Sequence, residues 1–189
     1  MIKKALSLAV LASVATFSQA EELNRPLITL NIDYMSGGEE LAEQEYTDGS
    51  SDSVSAGAGI GFGIGLRQEV QPQISVEGRI GYLSDTASGK DAFGDTIEFT
   101  FSTLPMDALA HYQFEKHSIG GGLTYHLNPT LDIDGTEFDF DNAIGALIEY
   151  QYQWSPQGAV SVKYQSISYE YEGIDFDGSG FGIGLAGRF

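Results

Sequence analysis

Between residues 53 and 67 every second residue is apolar: Val54, Ala56, Ala58, Ile60, Phe62, Ile64 and Leu66. The residues between them are Ser55, five glycines and Arg67. Side chains on a strand alternate between two faces, so the run makes a ribbon with one greasy side and one nearly bare side. Residues 178–189 repeat the design, with Phe181, Ile183, Leu185 and Phe189 opposite Gly180, Gly182, Gly184, Ala186 and Arg188. A soluble barrel puts its apolar face inside, but bulky side chains on every strand do not fit an eight-stranded cylinder. Gly-rich faces do fit, which leaves the bulky face for lipid.

The rest of the chain follows the same period. Six further strands are predicted over residues 26–35, 74–83, 95–114, 118–127, 143–154 and 159–169. The connections alternate long and short, the long ones at 36–52, 84–94, 128–142 and 170–177. The fold class expected is therefore all-β, an eight-stranded antiparallel up-and-down transmembrane β-barrel, with its long loops on one rim and tight turns on the other. In the fourth strand the apolar residues change parity, from Ile97, Phe99 and Phe101 to Leu104, Met106 and Ala108, which predicts a β-bulge near Ser102 and Thr103 beside Pro105. Two aromatic belts are expected: Tyr112, Phe114, Tyr152, Trp154 and Phe189 toward the tight turns, and Tyr34, Tyr82, Phe99 and Phe101 toward the long loops.

Residues 1–20 read as a cleaved signal peptide: Lys3 and Lys4, an apolar run over 5–17, then Ser18 and Ala20 before the cut. Residues 21–189 form the single barrel domain. No other stretch approaches the roughly 18 apolar residues of a membrane helix. There is no cysteine, hence no disulfide framework or thiolate chemistry.

The exported chain carries seven basic against 27 acidic residues, which argues against nucleic acid as a partner. The four long connections, with Asp95 at the edge of the second, hold 18 of those acids and one base, Lys90. One reading is a solvated, repulsive rim. The sharper one is Ca²⁺ binding by Asp132, Asp134, Glu137, Asp139 and Asp141, or by Asp175 and Asp177, although no EF-hand spacing is present. This acidity disfavours an adhesin for sulfated polysaccharides.

The inward parity holds four acids, Asp33, Glu77, Asp107 and Glu149, and four bases, Arg67, Arg79, Lys163 and Arg188. Buried charge is tolerable when paired, so a closed, salt-bridged lumen is expected, with a narrow channel for small solutes as the alternative. An enzyme, such as one modifying lipid A, is the rival class. Its natural suspect, inward His126, has no local Ser, and a lone inward His beside carboxylates is more often part of a polar core. His111 is also inward, and His117 falls in a turn. No catalytic role and no cofactor are expected.

The dilysine signal, the eight alternating strands and the closing residues 180–189 resemble the small outer-membrane barrels of Gram-negative bacteria, of the OmpA-transmembrane-domain and OmpX type. The likeness lies in pattern more than in identities. It implies an outer-membrane monomer surrounded by lipid and lipopolysaccharide, with a structural or surface-interaction role. It also implies delivery by periplasmic chaperones to the barrel-assembly machinery through a terminal signal, for which Gly184, Leu185 and Phe189 match. Gly187 departs from that pattern, where a bulky residue is usual.

Overall fold

The computed structural model describes residues 25–45, 51–90 and 96–189, so the expected signal peptide lies outside the described residues. In chain order the strands are β1 (Leu27–Gly37), β2 (Glu40–Glu45), β3 (Ser51–Ser55), β4 (Gly59–Gln71), β5 (Ile74–Lys90), β6 (Thr96–Phe114) and β7 (His117–Ile133). They continue with β8 (Thr136–Asp139), β9 (Ala143–Gln153), β10 (Gly158–Ser166), β11 (Ser168–Tyr171), β12 (Ile174–Asp177) and β13 (Gly180–Arg188). Eight of them, β1, β4, β5, β6, β7, β9, β10 and β13, pair antiparallel with their neighbours in chain order, and β13 returns to β1. Closure continues through Ile28 and Phe189, which exchange two backbone hydrogen bonds of 2.9 Å. A closed ladder leaves no edge amide facing lipid, which is what allows strands to cross a bilayer.

The outward face is the expected one. Ile28, Leu30, Ile32 and Tyr34 on β1 and Ile60, Phe62, Ile64 and Leu66 on β4 are exposed, and the same alternation continues around the cylinder. Tyr112, Phe114, Tyr152, Trp154 and Phe189 are exposed toward the short-turn rim, where β1 begins and β13 ends.

Above the bilayer-facing band the alternation keeps its period but reverses its chemistry. Phe101, expected in the outer belt, has no exposed surface at all. With Val54, Ala56, Ala87, Leu131, Phe140, Ala143, Ile167 and Tyr169 it forms an apolar core inside the long-loop end of the barrel, and Phe99 packs against it. The β6 strand therefore keeps its odd residues inward throughout. The register break falls opposite Thr103, as expected, but the extra residue is on β7: Ser102 pairs Thr130 and Leu104 pairs Leu127, with Asn128 at φ 47° between. The parity change in β6 records a change in what the inside contains.

The long connections are mostly strands. The β5–β6 ladder pairs out to Lys90 and Thr96, β8 folds back on β7, and β2–β3 and β11–β12 are separate hairpins. Residues 53–67 are two strands rather than one. Gly57 and Gly59, at φ 74° and 120°, turn the chain so that Val54 and Ala56 enter the core while Ile60 faces out.

Candidate functional site

The eight charged residues expected in the lumen all point into it. Three carboxylates gather around Arg79 of β5: Glu149 at 2.9 Å, Asp107 at 3.3 Å and Glu77 at 4.0 Å. Thr29 donates to Glu77 at 2.8 Å and Thr124 to Asp107 at 2.7 Å, while His111 Nε2 stands 3.1 Å from Glu77. On the far wall Lys163 and Asp33 form an ion pair at 2.9 Å. Nearer the short-turn rim Arg67 donates to Ser75, Gln151 and Ser118 at 2.7, 3.1 and 3.3 Å. Arg188 donates to the same Gln151 oxygen, and Gln151 donates to Glu149. The neutral members Thr29, Ser75, Ser118, Thr124 and Gln151 escape a search for charges. Their signal is parity alone, a polar residue on the inward register of a strand.

The bare inward positions explain how such long side chains fit. A Cβ on Gly65 would fall 2.6 Å from Thr29 Oγ1 and 2.7 Å from Arg79 Cγ, in the path of the Thr29–Glu77 bond that crosses β4. A Cβ on Gly184 would strike the Asp33 carboxylate and Ser161 Oγ.

Between Arg79 and the apolar core lies a small cavity of about 40 Å³ bordered by Asn31, Asp33, Asp107, His126, Lys163 and Gln165. Above it lies the apolar core, with Phe101, Phe140 and Tyr169 packed edge to face at 5.4 to 6.5 Å between ring centres. Below the network the barrel opens into a vestibule of about 640 Å³ at the short-turn rim, lined by Arg25, Arg67, Glu69, Ser75, Glu115 and Arg188, among others. Among the described residues, the lumen thus has its apolar core at the long-loop end and its vestibule at the other.

His126 is fully buried and its Nδ1 lies 2.8 Å from Tyr169 Oη, beneath the apolar core. His111 belongs to the charge network. His117 opens β7 on the outer face instead of lying in a turn, 2.6 Å from Tyr150 Oη and beside Phe114 and Tyr152.

Of the Ca²⁺ candidates, Asp132, Asp134 and Glu137 line one open cavity together with Glu98. Among the described residues no three His, Cys, Asp or Glu side chains are placed to hold a metal ion. Asp132 caps Gly135 N–H at 2.7 Å and Asp139 accepts from Thr130 at 3.2 Å, so both serve the β7–β8 hairpin; Glu137 pairs with Asp132 across it. Asp134 occupies the turn at φ 51°, and the Asp141 amide bonds the Glu170 carbonyl. Asp175 lies on β12 opposite Glu170. Asp177 accepts from Ser179 N–H at 2.9 Å, and the hydroxyl and amide of Ser179 hold its carboxyl below the usual aspartate range.

Of the terminal residues, Leu185 and Phe189 face outward and Gly184 inward. The ring of Phe189 folds over Gly187, where a Cβ would meet it at 3.1 Å.

Comparison with known proteins agrees with this architecture. Ail, the attachment invasion locus protein of Yersinia pestis, superposes with a TM-score of 0.52 at 14% identity, over 88% of this chain and 100% of its own. Neisserial surface protein A gives 0.52 at 10% identity, over 89% and 100% of the two chains. OprG of Pseudomonas aeruginosa gives 0.51 at 13%, over 89% and 97%. At such identities the likeness is one of fold. No curated protein matches the sequence significantly. The family model of the outer membrane protein β-barrel domain, however, matches residues 5–189, nearly the whole chain, and the chain belongs to that family.

Proposed function

We propose that the protein is a non-conducting, non-catalytic barrel of the outer membrane that serves as a structural element and as a carrier of an acidic surface at its long-loop rim. The apolar core at that rim carries the reading. Phe101 and Tyr169 are both fully buried there, and an apolar constriction opposes the passage of a hydrated solute. Lumen charges that are paired side chain to side chain are unavailable to a permeating ion.

The rim chemistry directs what the surface meets. Ail has been crystallised with the heparin analogue sucrose octasulfate. Here 18 acids in the long connections repel sulfate, so neutral or cationic partners, including cation-bridged lipopolysaccharide, suit this surface better. A liposome-swelling assay on the refolded mature chain tests the closed lumen. No swelling is expected in isosmotic glycine or arabinose, and swelling at a rate that scales with protein content overturns the reading.

A further inference from the structure

The floor of the short-turn vestibule holds two arginines that share one neutral acceptor. Nη1 of Arg67 and Nη2 of Arg188 both bond Gln151 Oε1, so the two cations stand within about 6 Å of each other, two hydrogen-bond lengths. Both side chains are more than nine-tenths buried, Arg67 at 4% and Arg188 at 8% exposure. Their carboxylate company is slight. Glu77 is 3.9 Å from Arg67 and already serves Arg79, His111 and Thr29, and Glu149 is held by Arg79 and Gln151. Among the described residues no carboxylate forms an ion pair with Arg188. In a chain of net charge −18, the lumen therefore turns a cationic floor toward one compartment.

We propose that this vestibule is a binding site for an oxyanion, a carboxylate or phosphate group entering from the short-turn side, with Arg67 and Arg188 as its ligands. The guanidinium fork matches such groups geometrically, and a partly desolvated pair of forks binds them far better than exposed lysines would. Arg67 is fixed by three side-chain acceptors, whereas Arg188 is bonded through one nitrogen and lines the cavity. The volume of about 640 Å³ falls within the range of small-molecule sites, roughly 300 to 1,000 Å³. Glu69 and Glu115 at the mouth select against polyanions and favour a ligand bearing a single anionic group.

The refolded mature chain in dodecyl maltoside, free of phosphate, is titrated with N-acetylglycine, with inorganic phosphate and with neutral N-acetylglycinamide, while the side-chain Nε–H resonances of Arg67 and Arg188 are followed by NMR. Saturable shifts with the acid and with phosphate, and none with the amide, are expected; this contrast needs no variant. Arg188→Gln should weaken both by about tenfold, the loss of one charge-assisted contact, and Arg188→Lys by less, with folding checked by gel mobility. Repeating the titration in phospholipid nanodiscs separates the sources: a lost response assigns the site to lipid headgroups, a retained one to a soluble anion. Equal shifts from acid and amide, no saturation with either anion, or unchanged binding in folded Arg188→Gln overturns the proposal.

Discussion

Asp33 and Lys163 form their 2.9 Å ion pair across a strand to which neither belongs. Asp33 is on β1, opposite Gly184, and Lys163 is on β10, opposite Gly182, so the pair bridges β13 over two positions without side chains. The glycines of the terminal strand are the room in which the lumen's charges meet.

Removing one partner of that pair should cost more than removing both. Lys163→Met leaves Asp33 alone in the lumen, with an expected loss of about 3 kcal/mol, and Asp33→Asn with Lys163→Met together should recover part of it. Urea titration of the folded form, read by heat-modifiable gel mobility, measures the cycle. Additive losses would remove the pair from the account.

A methyl group at position 184 meets the same constraint from below. Gly184→Ala should destabilise the barrel by about 1 to 3 kcal/mol through overpacking against Asp33 and Ser161. Phe189→Ala should leave unassisted refolding in micelles intact and reduce the amount of barrel reaching the outer membrane in cells. Equal effects in both settings would deny Phe189 a separate part in assembly.

The apolar core at the long-loop rim should behave like the core of a soluble protein. Phe101→Ala is expected to cost about 3 to 5 kcal/mol. Tyr169→Phe, which keeps the ring and loses only the bond to His126, should cost about 1 kcal/mol. Thermal melting of the two variants side by side checks the order.

Asp177 gives a pH signature outside the bilayer. Its carboxyl is depressed by Ser179, so its contribution to hairpin stability is present above the unfolded aspartate value and lost as pH falls through the lower, folded value. An NMR titration should find Asp177 below an ordinary aspartate, and Ser179→Ala should raise it by removing the hydroxyl's share. No change in that variant would mean the bond is not made in solution.

The eight strands, their closure and the eight lumen charges were legible in the sequence because lipid outside and a narrow lumen inside impose one rule on every strand. That rule stops where the bilayer stops. Phe101 and Tyr169 obey the alternation and face inward, as they would in a soluble barrel, so reading apolar as outward misplaced Phe101 and blurred the strand after Ser166. Nothing in the spacing of Val54 and Ile60 announced the turn between them, since alanine and glycine fit either face. The hydrogen-bonded neutral members of the lumen, Gln151 above all, could be located by parity but not ranked. Which charges share Gln151 depends on reach across the cylinder, and strand order alone does not give that.

Closure of the lumen is tested most directly by single-channel recording. The refolded chain from residue 21 onward, added to a planar bilayer in 1 M KCl, should give a flat current at voltages of either sign, whereas the Phe101→Ala, Tyr169→Ala double variant should show transient openings. Stable, uniform conductance steps from the unmodified protein would contradict the closed barrel.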